Sequence, residues 1–130
     1  VELLPHPGYG LIGHRTAAYL QTLSRYKVAI CTTSKYGYAL RKIIEATAVG
    51  CRVVSDLPVD DVLPEIDGNI TRISIDNSTA EIASIVHDLA ASYSDEQQRI
   101  YAEKAIKYYD YRRLGRQLAA DIEALRRSYA

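Results

Sequence analysis

Val28-Ala29-Ile30-Cys31-Thr32-Thr33-Ser34-Lys35-Tyr36-Gly37-Tyr38-Ala39-Leu40-Arg41-Lys42-Ile43-Ile44-Glu45-Ala46-Thr47-Ala48-Val49-Gly50-Cys51-Arg52-Val53-Val54-Ser55-Asp56 is the stretch that decides the fold. Val28–Cys31 is a short apolar run between polar neighbours, as expected of a buried strand. A polar loop follows, and Ala39–Val49 then shows helical spacing through Leu40, Ile43, Ile44, Thr47 and Ala48. Gly50 stands where a helix ends best on a left-handed residue. Arg52–Asp56 supplies Val53 and Val54 as the next strand. The unit is strand, loop, helix, strand. Its loop leaves the C-terminal end of a strand, where open α/β sheets bind ligands. It enters a helix N-terminus, whose unpaired N–H groups and positive dipole end favour an anion.

Outward from this unit the alternation continues. Val1–Leu4 reads as the end of a strand stopped by Pro5 and Pro7, and His14–Tyr26 as a helix through Ala17, Ala18, Leu20 and Leu23. Ile70–Ile75 alternates imperfectly and is expected near a sheet edge. Ser78-Thr79-Ala80-Glu81 and Ser94-Asp95-Glu96-Gln97 are two capping boxes that open helices. Gly115 is expected to interrupt the last helical stretch. Strands alternating with helices imply right-handed βαβ units. The expected fold is α/β, a Rossmann-like parallel sheet covered by helices. It forms a single domain over 1–130, with an N-terminal loop and helix to about 26, core βα units over 27–93 and closing helices over 94–130.

With 48% hydrophobic and 25% charged residues, the 130-residue chain has the composition of a folded domain rather than a disordered one. No apolar run approaches the ~18 residues that span a bilayer, and no secretory leader pattern opens the chain. Cys31 and Cys51 are too sparse for a disulfide framework or a metal knuckle. These features suggest a cytoplasmic protein with no membrane span. A first residue of Val in a sequence without Met suggests a piece of something longer, or a processed product.

The net charge is zero, but the charges are segregated. No acid stands between Glu2 and Glu45, while Arg15, Arg25, Lys27, Lys35, Arg41 and Lys42 are basic. Such a third attracts anionic ligands, or simply faces the acidic stretch that follows. Gly8-Tyr9-Gly10-Leu11-Ile12-Gly13 fits the dinucleotide fingerprint letter for letter, yet no acid follows at about 20 positions to take the ribose. A glycine-rich turn is the better reading. His6 and His14 lack a third ligand, so no metal site is expected. The basic residues Arg112, Arg113, Arg116, Arg126 and Arg127 are interspersed with Asp110, Asp121 and Glu123, which argues for a solvated helix face rather than nucleic-acid binding. A receiver-type module would need paired acids at a strand end for Mg²⁺, and Val28–Cys31 ends in Thr32-Thr33 instead.

Lys42-x-x-Glu45-x-x-Ala48-x-Gly50-x-x-Val53-Val54 resembles the donor-binding segment of GT-B glycosyltransferases, particularly the retaining group 1 family and its spore-coat-like relatives. The likeness extends over roughly 27–125 through an acidic turn (Asp60, Asp61, Glu65), the Gly68-Asn69 turn, a helix over 79–91 and Tyr109-Asp110-Tyr111. It implies the C-terminal, nucleotide-sugar-binding half of such an enzyme, with no cofactor and no metal, the nucleotide-sugar being a substrate. Glu45 would bond the ribose hydroxyls. Backbone N–H groups around Tyr38, Ala39 and Leu40 would meet the diphosphate, supported by Ser34, Lys35 or Lys42. Gly37 stands where the family often has a sugar-holding Glu. An N-terminal acceptor-binding domain would be a partner absent from this chain, and the chain alone would be inactive. Read from spacing alone, Glu45 equally pairs with Lys42 or Arg41 on a solvated face. A non-catalytic α/β interaction module is the alternative function.

Overall fold

The computed structural model describes residues 2–5 and 13–130, with side chains in the helical start from Thr16 onward. Five helices and three strands follow in the order α1 (Gly13–Leu23), β1 (Val28–Ile30), α2 (Arg41–Ala48), β2 (Arg52–Ser55), β3 (Ile70–Arg72), α3 (Thr79–Ala91), α4 (Asp95–Tyr108) and α5 (Tyr111–Ser128). The strands form one parallel sheet in the order β1-β2-β3. An α/β fold with a small parallel sheet and covering helices is what the alternation implied. The glycine fingerprint up to Ile12, with His6 and Tyr9, lies outside the described residues.

Register explains the layering. Ala29, Val53 and Ile70 stand abreast, as do Ile30, Val54 and Thr71 on the opposite pleat. The first row belongs to the main core with Leu23 from α1, Ile43 and Ala46 from α2, and Cys31, Cys51 and Leu57. Thr47 is also buried on α2, whereas Ala48 is only half-buried. Small, fully buried Ala46 brings the helix close to the sheet. On the other pleat Val54 is fully buried, while Ile30 on outer strand β1 is 45% exposed. α3 lies against β1, and α4 packs against α2 through buried Gln98 and Ala105. Arg52 reaches the far end of α3, donating to Leu89 O and Ser92 Oγ.

Local signals act as their chemistry dictates. Gly50 (φ +93°) ends α2 in a Schellman arrangement, with its N–H on Thr47 O and the Cys51 N–H on Ala46 O. Ser78 and Glu81 make both halves of a capping box. At Ser94 only the forward bond, Gln97 N–H to Ser94 Oγ, is recorded. Three expectations need correction. Residues 2–5 are not in a strand, and β3 ends at Arg72 rather than Ile75, although Ile73 N–H still reaches Ser55 O. Gly115 does not interrupt α5. The break falls earlier, where Tyr109 closes α4 and Asp110 caps α5 by accepting from Arg112 N–H at 2.7 Å. A capping carboxylate wins there, because a lone glycine in a helix costs only about 1 kcal/mol.

One polar group ties helix to sheet. The buried Asn69 carboxamide, just before β3, donates to Thr47 Oγ1 (3.1 Å) and Cys51 O (2.9 Å). Asn69→Ala leaves that carbonyl unpaired in the core and is expected to cost about 2–3 kcal/mol in urea unfolding. Ser78→Ala removes one surface cap and is expected to cost about 1 kcal/mol in the same measurement.

Candidate functional site

The loop 31–40 rises from the C-terminal end of β1 and is organised by Ser34. Its Oγ accepts from Tyr36 N–H (3.1 Å) and Tyr38 N–H (3.4 Å), its carbonyl from Gly37 N–H (2.9 Å), and its own N–H donates to Tyr38 O. Gly37 turns the chain at φ +75°, a conformation that a side chain would strain. The loop is pinned to the neighbouring strand end by Asp56, which accepts from Thr33 N–H at 2.7 Å. It is pinned to α2 by Lys42, whose Nζ donates to Thr32 Oγ1 at 2.9 Å. Tyr36 and Tyr38 project outward with nearly parallel rings, and the Lys35 ammonium lies over Tyr36.

The expected site residues are therefore gathered on one loop–helix junction, but with altered roles. Ser34 is a scaffold whose hydroxyl is already engaged. Tyr38 N–H is spent inside the loop. Lys42 braces the loop, with its Nζ turned to Thr32. Ala39 and Leu40 lead directly into α2, whose N-cap, Leu40, has no side chain able to cap it. Glu45 is one turn further on, and its side chain is 16% exposed. It pairs with Arg41 Nε at 2.7 Å rather than with Lys42.

Arg41 is not among the expected site residues. It opens α2 beside Lys42, and no acid occupies the first turn. Two cations at the positive end of a helix dipole, without a cap, is an unfavourable arrangement until an anion arrives. The missing N-cap side chain and the paired cations were the available signal. The Arg41–Glu45 pair offsets part of this cost. It is weak, because Arg41 is 67% exposed and the cation lies N-terminal to the acid, the poorer order against the dipole.

Beside this junction, the ends of β2 and β3 border an open cleft of about 470 Å³, walled by Leu57, Pro58, Val59, Ile73 and Ile75 with Asp56 and Arg72. Arg72 builds its wall. The guanidinium donates to Asp67 Oδ1 (2.8 Å) and Oδ2 (3.2 Å), Asp61 O and Pro58 O, clasping the 57–67 loop to β3. Glu65 in this loop is held at φ 69°, the left-handed region a non-glycine residue adopts at a cost.

Both thiols are buried. Burial pushes Cys31 up to about 11 and Cys51 up to about 12, so both stay protonated at neutral pH. Among the described residues, no three of His, Cys, Asp and Glu are grouped to hold a metal ion. Among them, too, no helix is long and apolar enough to cross a membrane.

Hydrogen bonds from Arg72 hold the Asp67 carboxyl below its ordinary range, against a smaller opposing effect of burial. A depressed carboxylate contributes stability that is complete above its unfolded pKa and is lost as pH falls through the folded value. Arg72→Leu is therefore expected to lower urea stability at pH 7 and to flatten its fall below about pH 4. An unchanged acid limb in the variant's pH–stability curve contradicts the assignment.

Compared with models of known families, with curated proteins and with solved structures, the chain matches none.

Proposed function

We propose that the 31–45 junction binds the diphosphate of a nucleotide-sugar, as the donor-binding half of a metal-independent GT-B glycosyltransferase that transfers a hexose to an acceptor. The observation that carries this reading is the start of α2: an uncapped N-terminus with Arg41 and Lys42 in its first turn and no acid to balance them. A diphosphate satisfies the orphan N–H groups and the Arg41 guanidinium at once, while Lys42, held on Thr32, adds its charge nearby. It also draws Arg41 away from Glu45, at the loss of an ion pair worth about 0.5 kcal/mol. The carboxylate is then available to accept from ribose hydroxyls, a charge-assisted bond worth roughly 1.5–3 kcal/mol. During transfer, the same dipole and cations stabilise the departing diphosphate without proton exchange.

One observation favours the alternative, a non-catalytic α/β interaction module: Glu45 already has a partner in Arg41. The two readings differ in ligand binding. In a calorimetric titration, UDP or GDP is expected to bind the chain, with affinity falling as salt rises. Glu45→Ala is expected to weaken binding about tenfold or more, corresponding to one lost charge-assisted hydrogen bond. No binding of either nucleotide by the unmodified chain, or equal binding by Glu45→Ala, sinks the assignment.

A further inference from the structure

α5 stands apart from the rest of the molecule. None of its residues is buried, and along most of its length every one is exposed. An 18-residue helix of good helix formers is still marginal by itself in water, and helices in proteins draw most of their stability from packing an apolar face. α5 has such a face. Tyr111, Leu114, Leu118, Ile122, Leu125 and Tyr129 follow at intervals of three and four, and each is between 44% and 85% exposed. Their spacing repeats every eleven residues (111 to 122, 114 to 125, 118 to 129), which keeps the stripe nearly straight along the helix.

The geometry points to a second copy of this chain as the partner, its α5 lying parallel and in register against the first. Three observations support that occupant. The stripe is a contiguous run of six exposed apolar and aromatic side chains along one face, the kind of patch that marks an interaction surface. A parallel, in-register pair sets the apolar residues of the two stripes against one another along their whole length. The charges choose the direction. Asp121 borders one side of the stripe and Arg126 the other, five residues on, where the opposite flanks of two parallel helices meet. An antiparallel pair centred on the stripe sets Asp121 near its own copy instead. In the single chain these groups have weak local partners: Asp121 accepts from Gln117 Nε2, and Arg126 lies 3.8 Å from Glu123. Both remain exposed to the neighbour. Gly115, with open space around its Cα, leaves the same flank as Arg126 uncrowded.

Sedimentation equilibrium across micromolar to millimolar concentrations tests this. A concentration-dependent dimer is expected, and Leu118→Glu with Ile122→Glu, both on the exposed face, is expected to leave a folded monomer by circular dichroism. Asp121→Arg and Arg126→Asp are each expected to weaken the dimer about threefold to tenfold, and combining them to restore it. A monomer at every concentration overturns the proposal, as does a dimer indifferent to the Leu118/Ile122 variant. Failure of the double swap to restore affinity overturns the parallel arrangement. Co-sedimentation of a monomeric chain with phosphatidylglycerol vesicles assigns the stripe to an anionic membrane surface instead.

Discussion

The buried carboxamide of Asn69 is the constraint on which the arrangement of sheet and helix depends. It reaches from the start of β3 to Thr47 on α2 and to the carbonyl of Cys51 ahead of β2. Apolar packing alone is tolerant of sliding, since Ile43, Ala46, Val53 and Ile70 can exchange neighbours at small cost. A buried amide is not tolerant, because breaking either bond strands a polar group where no water reaches it. Its Oδ1 finds no protein partner among the described residues, so the group is fixed by its donors alone. Thr47 Oγ1 in turn donates to Ile43 O, which carries the constraint along α2 toward its first turn.

What that anchoring positions is a helix start that is electrostatically incomplete. The loop before α2 is closed on itself by Ser34, attached to the end of β2 by Thr33–Asp56 and to α2 by Thr32–Lys42. The loop's own N–H groups at Tyr36, Gly37 and Tyr38 are thus spent. Under the proposed function, a self-satisfied loop beside an unsatisfied helix end is a suitable division of labour for binding. The loop fixes position without competing for ligand, and binding cost is reduced because little must be ordered. On the proposed reading, the same division makes Arg41 a better phosphate contact than Tyr38.

The features legible in the sequence were those whose physics is local. Gly50 ends α2 and Ser78 starts α3 because a left-handed cap and a capping box need only a few adjacent residues. The parallel sheet was legible through alternation of apolar runs and helical periods. Side-chain partners were not. Glu45 stands three residues from Lys42 and four from Arg41, and spacing allows either. Lys42 is withdrawn by Thr32, a residue ten positions away on the preceding loop, and Arg41 inherits the carboxylate. The Arg72 clasp on Asp67, Asp61 and Pro58 likewise depends on how a long loop folds back, which no period encodes. At Gly115 the low helix propensity of one residue is outweighed by the cap at Asp110, which decides where the two helices divide.

The molecule is divided energetically as well as in sequence. From α1 to α4, apolar side chains converge on one core, and even Tyr109 at the end of α4 is drawn in. Its hydroxyl donates to Pro64 O at 2.9 Å, and burial pushes it up to about 12. Past Asp110 this convergence stops. Arg113 turns back to Tyr108, its guanidinium 3.9 Å from the ring centre, and is the last α5 side chain to be even half-buried. A regular apolar stripe that continues for four more turns is left uncovered among the described residues. Residues under no packing constraint have no physical reason to keep an apolar period through Leu118, Ile122 and Leu125. Their spacing implies a surface outside this fold that the helix is shaped to meet.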